Sequence, residues 1–191
     1  MRAKVVATIF ALIGASGAMA NGGLQPRNWV LEPENFLGIQ LNGEPLHDLP
    51  ECGAESLGLC FERTSKPNQY KILGGQHPCL KGNYAVEATF VGSKLEKLNV
   101  LGSAEGLNQL SDLLVAKYGE PSSRELIRLE TKTGYSFVSE VMNWSGNAFS
   151  MTLRRTDNDT SAYSLTLTNL KLSPPALSKA APEAVGEAAE L

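Results

Sequence analysis

The stretch SAEGLNQLSDLLVAKYGEP, residues 103–121, combines a helix start signal, a helical period and a helix stop signal. Its apolar stripe repeats at helical spacing and consists of Leu107, Leu110, Leu114 and Tyr118. Ser103 can cap the first turn, Gly119 can adopt the left-handed conformation that ends a helix, and Pro121 prevents continuation. We therefore predict one amphipathic helix that covers whatever sheet the rest of the chain forms.

Short strands joined by tight turns account for most of the remaining chain. Alternation of apolar and polar residues predicts strands at 84–90, 94–101, 124–131, 135–144, 147–155 and 161–172. Less regular strands are predicted at 35–41, 59–63 and 69–73, and Pro45 favours a short helix over 45–49. Because tight turns cannot connect parallel strands, the sheet is antiparallel. The predicted fold class is α+β: an antiparallel meander with one long and one short helix packed on one face.

Two of these strands interrupt their own alternation. Val141 and Met142 are adjacent apolar residues in one strand, and Leu170 and Leu172 fall on the wrong face of the last strand. A shift of one residue turns a side chain to the opposite face of a sheet. We therefore predict either a β-bulge or partial cover on both faces at these points.

Residues 1–20 have the pattern of a signal peptide. Arg2 and Lys4 precede an apolar run at 5–13, and the Ala-Met-Ala sequence at 18–20 is a small-x-small cleavage site. The run is shorter than the roughly 20 residues that span a bilayer. No cysteine follows the cleavage site, so no lipid anchor is expected. We predict an exported bacterial protein located in the periplasm, and a buried N-terminal helix is the alternative.

The remaining chain divides into three parts. Residues 21–34 are predicted as a loosely held lead-in segment, 35–172 as a single α+β domain, and 173–191 as a disordered tail without aromatic residues. Removing Arg2 and Lys4 from the 17 basic residues leaves 15 against 20 acidic residues, a net charge of −5. With no basic cluster and no further long apolar run, neither nucleic acid binding nor a membrane span is expected.

The three cysteines, Cys52, Cys60 and Cys79, are the most informative chemical residues. In an oxidising compartment two of them should form a disulfide. A Cys52–Cys60 bridge is favoured because glycines make its short loop flexible, and Cys60–Cys79 is the alternative. A zinc site that includes His77 is the rival interpretation. However, neither Cys-x₇-Cys nor His-Pro-Cys has the usual ligand spacing, so no metal is predicted.

A catalytic set is not visible in the sequence. A nucleophilic enzyme needs a base within reach of its nucleophile, and the chain has only His47 and His77. There is no Gly-x-Ser-x-Gly elbow, and Gly74-Gly75 lacks the spacing of a phosphate-binding loop. We therefore predict no enzymatic activity and no cofactor. A hydrolase that uses one of the two histidines is the remaining catalytic alternative.

Candidate contact residues fall into two groups. The predicted polar face of the sheet contains Ser150, Thr152, Arg154, Ser164 and Thr166. Residues that could line a pocket between the long helix and residues 51–83 are Tyr70, His77, Tyr84 and Trp144. Trp144 can equally be a core residue. The glycosylation sequons at Asn143 and Asn158 are explained more simply by turns.

Two segments resemble a known group of small envelope proteins. Phe36-Leu37-Gly38-Ile39, followed by a polar turn and a short helix, is similar to the opening of SmpA/OmlA-type envelope proteins and of beta-lactamase inhibitor proteins. Residues 113–121 resemble the helix end with Gly-x-Pro after which the strands of those proteins begin. The resemblance implies two helices on an antiparallel sheet and a role in binding proteins rather than in catalysis. The two segments make up a minor part of the chain. They are also far apart in the sequence, with a hairpin between them.

These observations lead to one functional prediction and one alternative. We predict an exported, non-catalytic periplasmic protein that binds another protein, of the inhibitor, immunity or envelope-assembly type. The alternative is a protein that binds a small molecule or a cell-wall fragment.

Overall fold

The computed structural model describes residues 29–54, 56, 58–74, 80, 83–130, 134–156 and 159–173. The predicted signal peptide, His77, Cys79 and almost all of the predicted tail lie outside these residues. The described helices are α1 (Pro45–Asp48) and α2 (Leu107–Tyr118), and a 3₁₀ turn (Ala104–Gly106) leads into α2. The described strands are β1 (Asn35–Phe36), β2 (Ile39–Gln40), β3 (Cys60–Arg63), β4 (Gln69–Leu73), β5 (Tyr84–Val91), β6 (Lys94–Ser103), β7 (Ser123–Glu130), β8 (Ser136–Ser145), β9 (Phe149–Arg155) and β10 (Ala162–Asn169).

The long helix forms where the sequence predicts it. The Ser103 hydroxyl accepts a hydrogen bond from the Glu105 amide at the start of the 3₁₀ turn. Gly119 ends α2 with a φ of 80°, a conformation that glycine adopts without a steric penalty. The buried stripe of α2 consists of Leu110, Leu114 and Tyr118. The fold class is therefore α+β, as predicted.

The main sheet has eight antiparallel strands in the order β3-β4-β5-β6-β10-β9-β8-β7. The chain builds it from two units with the same plan, in which a helix is followed by a four-stranded meander. The first unit is α1 with β3 to β6, and the second is α2 with β7 to β10. The last strands of the two units, β6 and β10, pair antiparallel and join the meanders at the centre of the sheet. The predicted meander is thus two meanders, and α2 connects the centre of the sheet to its far edge.

Both helices pack on the same face of this sheet. The buried stripe of α2 lies in one core cluster with inward-facing residues of the strands, such as Val100, Leu165, Met151 and Leu153. Leu46 and Leu49, at α1, pack against the same cluster. A short hairpin of β1 and β2 completes the cover, and the Phe36 ring stacks on the Tyr118 ring at a centroid distance of 5.8 Å.

Two sequence predictions need correction, and for a third the structure decides between the two alternatives. Residues 35–41 form not one strand but the β1–β2 hairpin, which turns at Leu37-Gly38, where both φ values are positive. No bulge interrupts the described part of β8: Val141 and Met142 are both buried, on opposite faces, so partial cover on both faces is the correct alternative there. The last strand ends at Asn169, and Leu170 lies in a turn where its amide donates to the Ala148 carbonyl.

The described part of the lead-in segment, residues 29–34, is firmly held rather than loose. The Trp29 indole is buried and donates to the Tyr118 carbonyl at 2.8 Å. The Glu32 carboxylate accepts hydrogen bonds from three consecutive backbone amides, those of Asn147, Ala148 and Phe149. These contacts fasten the segment to the end of α2 and to the turn between β8 and β9.

Truncation of the buried stripe of α2 tests the helix assignment. We expect Leu114→Ala to lower the free energy of unfolding by about 2–3 kcal/mol, at the low end of the range for buried leucines. The low value follows because Leu114 already borders a cavity and has fewer contacts to lose. Asp112→Ala, on the exposed side of the same helix, should change it by about 0.5 kcal/mol or less. Urea titrations of both variants provide the measurement, and equal midpoints would show that the stripe is misassigned.

Candidate functional site

The face of the main sheet opposite the helices carries a polar row from edge to edge, flanked by residues that include the apolar Leu101 and Val141. One row of side chains crosses all eight strands in the order Glu62, Lys71, Glu87, Asn99, Thr166, Thr152, Asn143 and Ser123. A row on one side of it contains Thr89, Lys97, Thr168 and Ser150. On the other side Ser164 lies opposite Arg154. We call the surface formed by these rows the open face.

Hydrogen bonds between side chains order the centre of the open face. The Asn99 Oδ1 atom accepts from the hydroxyls of Ser164 and Thr166, both at 3.0 Å. The Asn143 Oδ1 atom accepts from the Thr152 hydroxyl at 2.9 Å. Side chains that are already held in this way lose less conformational entropy when a partner binds. The centre of the open face is therefore a pre-organised polar surface.

All five residues of the predicted polar face lie on the open face. The pairs across neighbouring strands are Ser150 with Thr168, Thr152 with Thr166, and Arg154 with Ser164. The alternation of each strand was sufficient to predict this.

The sequence did not single out the two asparagines at the centre of the network. Asn143 lies inside β8, so its assignment to a turn is wrong, and Asn158 lies outside the described residues. Asn99 lies in β6 two residues after Lys97 and therefore shares its face. The alternation of residues in β6 therefore predicts that Asn99 lies on the open face. It does not predict the contacts of Asn99 with β10.

The described residues predicted to line a common pocket, Tyr70, Tyr84 and Trp144, have separate surroundings. Trp144 is completely buried in the core, which agrees with the core interpretation. The Tyr70 ring contacts Phe61 and Phe90 edge-on at centroid distances of 5.2 and 5.5 Å, and Tyr84 packs against the core. His77 lies outside the described residues.

Cys52 and Cys60 form a disulfide, with a Cα–Cα distance of 5.0 Å. The predicted pairing is therefore correct, and Cys79 lies outside the described residues. In the part of the chain that the structure describes, no three histidine, cysteine or acidic side chains come together as metal ligands. The same part contains no helix of the length and apolarity needed to cross a bilayer.

The titratable groups that the structure describes do not form a recognisable catalytic pair. His47 lies on the surface, and its Nδ1 atom is 2.9 Å from the Glu44 carboxylate in the same helical turn. A hydrogen bond to Glu120 raises the pKa of Arg124, burial opposes this, and Glu140 raises the pKa further. A guanidinium with a raised pKa stays charged at any physiological pH, so this cluster links β7, β8 and the end of α2 without exchanging protons.

A cavity of about 350 Å³ lies on the helix side of the molecule, between α2 and the β1–β2 hairpin. The hairpin contributes Phe36 and Leu37, α2 contributes Leu110, Leu113 and Tyr118, and Leu165 of the sheet also lines it. Lys117 supplies the one charged group among the described lining residues. The described lining is thus apolar apart from the Lys117 ammonium group.

Two surfaces of the described residues are the main candidates for binding: the polar sheet surface and, on the opposite side, the apolar cavity. The open face provides hydroxyl and amide groups that can donate and accept hydrogen bonds. The cavity provides apolar surface and an ammonium group. No protein-family model, curated protein or solved structure matches this chain.

Proposed function

We propose that this chain is an exported, non-catalytic periplasmic protein that binds another protein through the open face. The observation that carries the proposal is the polar row that crosses all eight strands, with its centre ordered by side-chain hydrogen bonds. A scaffold that needed the sheet only for stability could leave these side chains unconnected. The resemblance to small envelope proteins and beta-lactamase inhibitor proteins supports the same class of function.

The dimensions of the open face suit a protein partner. Eight strands spaced by about 4.8 Å give a sheet roughly 34 Å wide. The three polar rows hold eight, four and two residues and together cover roughly 450 Å², more than half of the area of about 800 Å² that each partner buries in a typical stable complex. A small molecule needs a concave site and could not use most of this area.

The charges of the open face favour a protein partner over nucleic acid. Its basic residues, Lys71, Lys97 and Arg154, are interspersed with the acidic Glu62 and Glu87. Nucleic acid binding depends on a continuous basic surface that displaces counterions from the phosphates. The mixed charges and the neutral centre match a polar protein surface that offers its own hydrogen-bonding groups.

The disulfide supports the proposed location. Cys52 and Cys60 form a disulfide. Disulfides persist in oxidising compartments such as the bacterial periplasm. The alternative of a cell-wall-fragment binder is less well supported, because such a fragment needs several polar groups and the described lining of the cavity offers the Lys117 ammonium.

A capture experiment with matched variants tests the proposal. Protein purified from the periplasm serves as bait against periplasmic extract, and a discrete partner should be retained. Thr166→Arg, at the centre of the open face, should weaken capture by at least about tenfold because it places an unpaired charge in the interface. Ala116→Arg, on the exposed side of α2, should capture as well as the wild type. Capture that is insensitive to Thr166→Arg, or turnover of a substrate without any partner, would contradict the proposal.

A further inference from the structure

The turn of the β1–β2 hairpin holds an unusual residue. Leu37 has a φ of 51° and Gly38 a φ of 79°, the pattern of a type I′ turn. Asparagine, aspartate and glycine are preferred at these positions, and a leucine in the left-handed region is sterically disfavoured. The turn alone therefore does not account for a leucine at this position.

The Leu37 side chain points to a second role. It lines the cavity beside α2, where it faces other apolar groups such as Leu113 and Phe36. Backbone strain that persists in a fold is a reason to look for a function of the strained residue. Apart from Lys117 the described lining is apolar, and such a lining can accept the apolar part of a ligand.

Lys117 places a positive charge at the otherwise apolar described lining of the cavity. Its Nζ atom lies 5.1 Å from the centroid of the Tyr118 ring, which also lines the cavity. Lys117 is exposed, and no carboxylate among the described residues forms an ion pair with it. An ammonium group beside an otherwise apolar site is complementary to a ligand with an apolar body and an anionic end.

We propose that this cavity binds the hydrocarbon chain of a free fatty acid, whose carboxylate pairs with Lys117. The volume of about 350 Å³ lies at the lower end of the range for ligand sites, which matches a single chain rather than a phospholipid with two. The site is independent of the open face, because α2 and the sheet separate them.

Titration of the purified exported protein with dodecanoate, below its micelle concentration, tests this site by calorimetry. We expect one saturable site per chain. Leu37→Asn should weaken binding by about tenfold or more, because it puts an amide into an apolar cavity. The same change should shift the melting temperature little, because the better fit of asparagine to the left-handed conformation offsets the lost apolar contacts of Leu37. Leu126→Asn, on the exposed surface of β7, should bind dodecanoate like the wild type.

Lys117→Gln tests the head group separately. It should weaken dodecanoate binding by about two- to fivefold, as expected for an exposed ion pair, and leave the binding of dodecanol unchanged. An equal effect on both ligands would overturn the assignment of the carboxylate to Lys117. The absence of saturable binding, or wild-type binding by Leu37→Asn, would overturn the site. If the protein floats with phosphatidylglycerol vesicles but does not bind dodecanoate in the calorimeter, the free fatty acid is not the ligand.

Discussion

Trp144→Ala is expected to lower the free energy of unfolding by about 3–5 kcal/mol. The Trp144 side chain is 0% exposed and lies in the core between the sheet and α2. Its indole Nε1 atom donates a 2.8 Å hydrogen bond to the carbonyl of Gly119, just beyond the last residue of α2. Truncation therefore removes a large buried side chain and also leaves a carbonyl group at the helix end without its donor.

Two further substitutions separate these contributions. Trp144→Phe keeps most of the apolar volume but not the donor, so it should cost about 1–2 kcal/mol. Val138→Ala, on the same strand, removes a side chain that is 61% exposed and should change stability by about 0.5 kcal/mol or less. Urea denaturation followed by far-ultraviolet circular dichroism gives all three values. A Trp144→Ala protein within about 1 kcal/mol of the wild type would show that Trp144 does not hold β8 to α2.

The elements that the sequence predicted well depend on local signals. The Ser103 cap, the apolar stripe and Gly119 all lie within the helical segment itself, and α2 forms there with little difference at its ends. Strands with clean alternation, such as β9 around Met151, were predicted to within about two residues because neighbouring side chains report the face directly.

The arrangement of the strands could not be predicted, because it depends on contacts between distant segments. The β6–β10 pair joins residues such as Val100 and Leu165, and no local pattern identifies one strand as the partner of another. For the same reason the shared plan of the two units is visible in the topology but not as a sequence repeat.

The candidate sites show the same division between local and distant information. Alternation placed Thr152 and Ser164 on the open face, but the role of Asn99 required the knowledge that β6 lies beside β10. Local signals do not predict the cavity, because Leu37-Gly38 is not a common turn sequence and residues 35–41 therefore have the pattern of one strand. Leu37, a non-glycine residue with a positive φ, lines this candidate site. Its departure from the usual backbone preference is therefore the best local indication of the site.

The attachment of the lead-in segment depends on Glu32. Its Oε1 atom accepts from the amides of Ala148 and Phe149, and its Oε2 atom from the amide of Asn147. Gly146 precedes these residues, and a Cβ atom at that position would lie 2.5 Å from the Glu32 carboxylate carbon. The turn between β8 and β9 can therefore enclose the carboxylate because residue 146 has no side chain.

Glu32→Ala is expected to lower the free energy of unfolding by about 3–5 kcal/mol, because hydrogen bonds to a charged acceptor contribute about 1.5–3 kcal/mol each. Water can reach the exposed Asn147 amide, which keeps the loss below the full sum for three bonds. Glu32→Gln should cost about 1–2 kcal/mol, because its amide oxygen can replace Oε1 while its NH₂ group cannot accept from Asn147. Glu34→Ala, two residues away and exposed, should stay within about 0.5 kcal/mol of the wild type. Urea titrations should therefore rank the variants as Glu34→Ala, Glu32→Gln and Glu32→Ala in order of increasing loss of unfolding free energy. If the two Glu32 variants are equally stable, the hydrogen bonds that the residue 32 side chain accepts from backbone amides do not stabilise this segment.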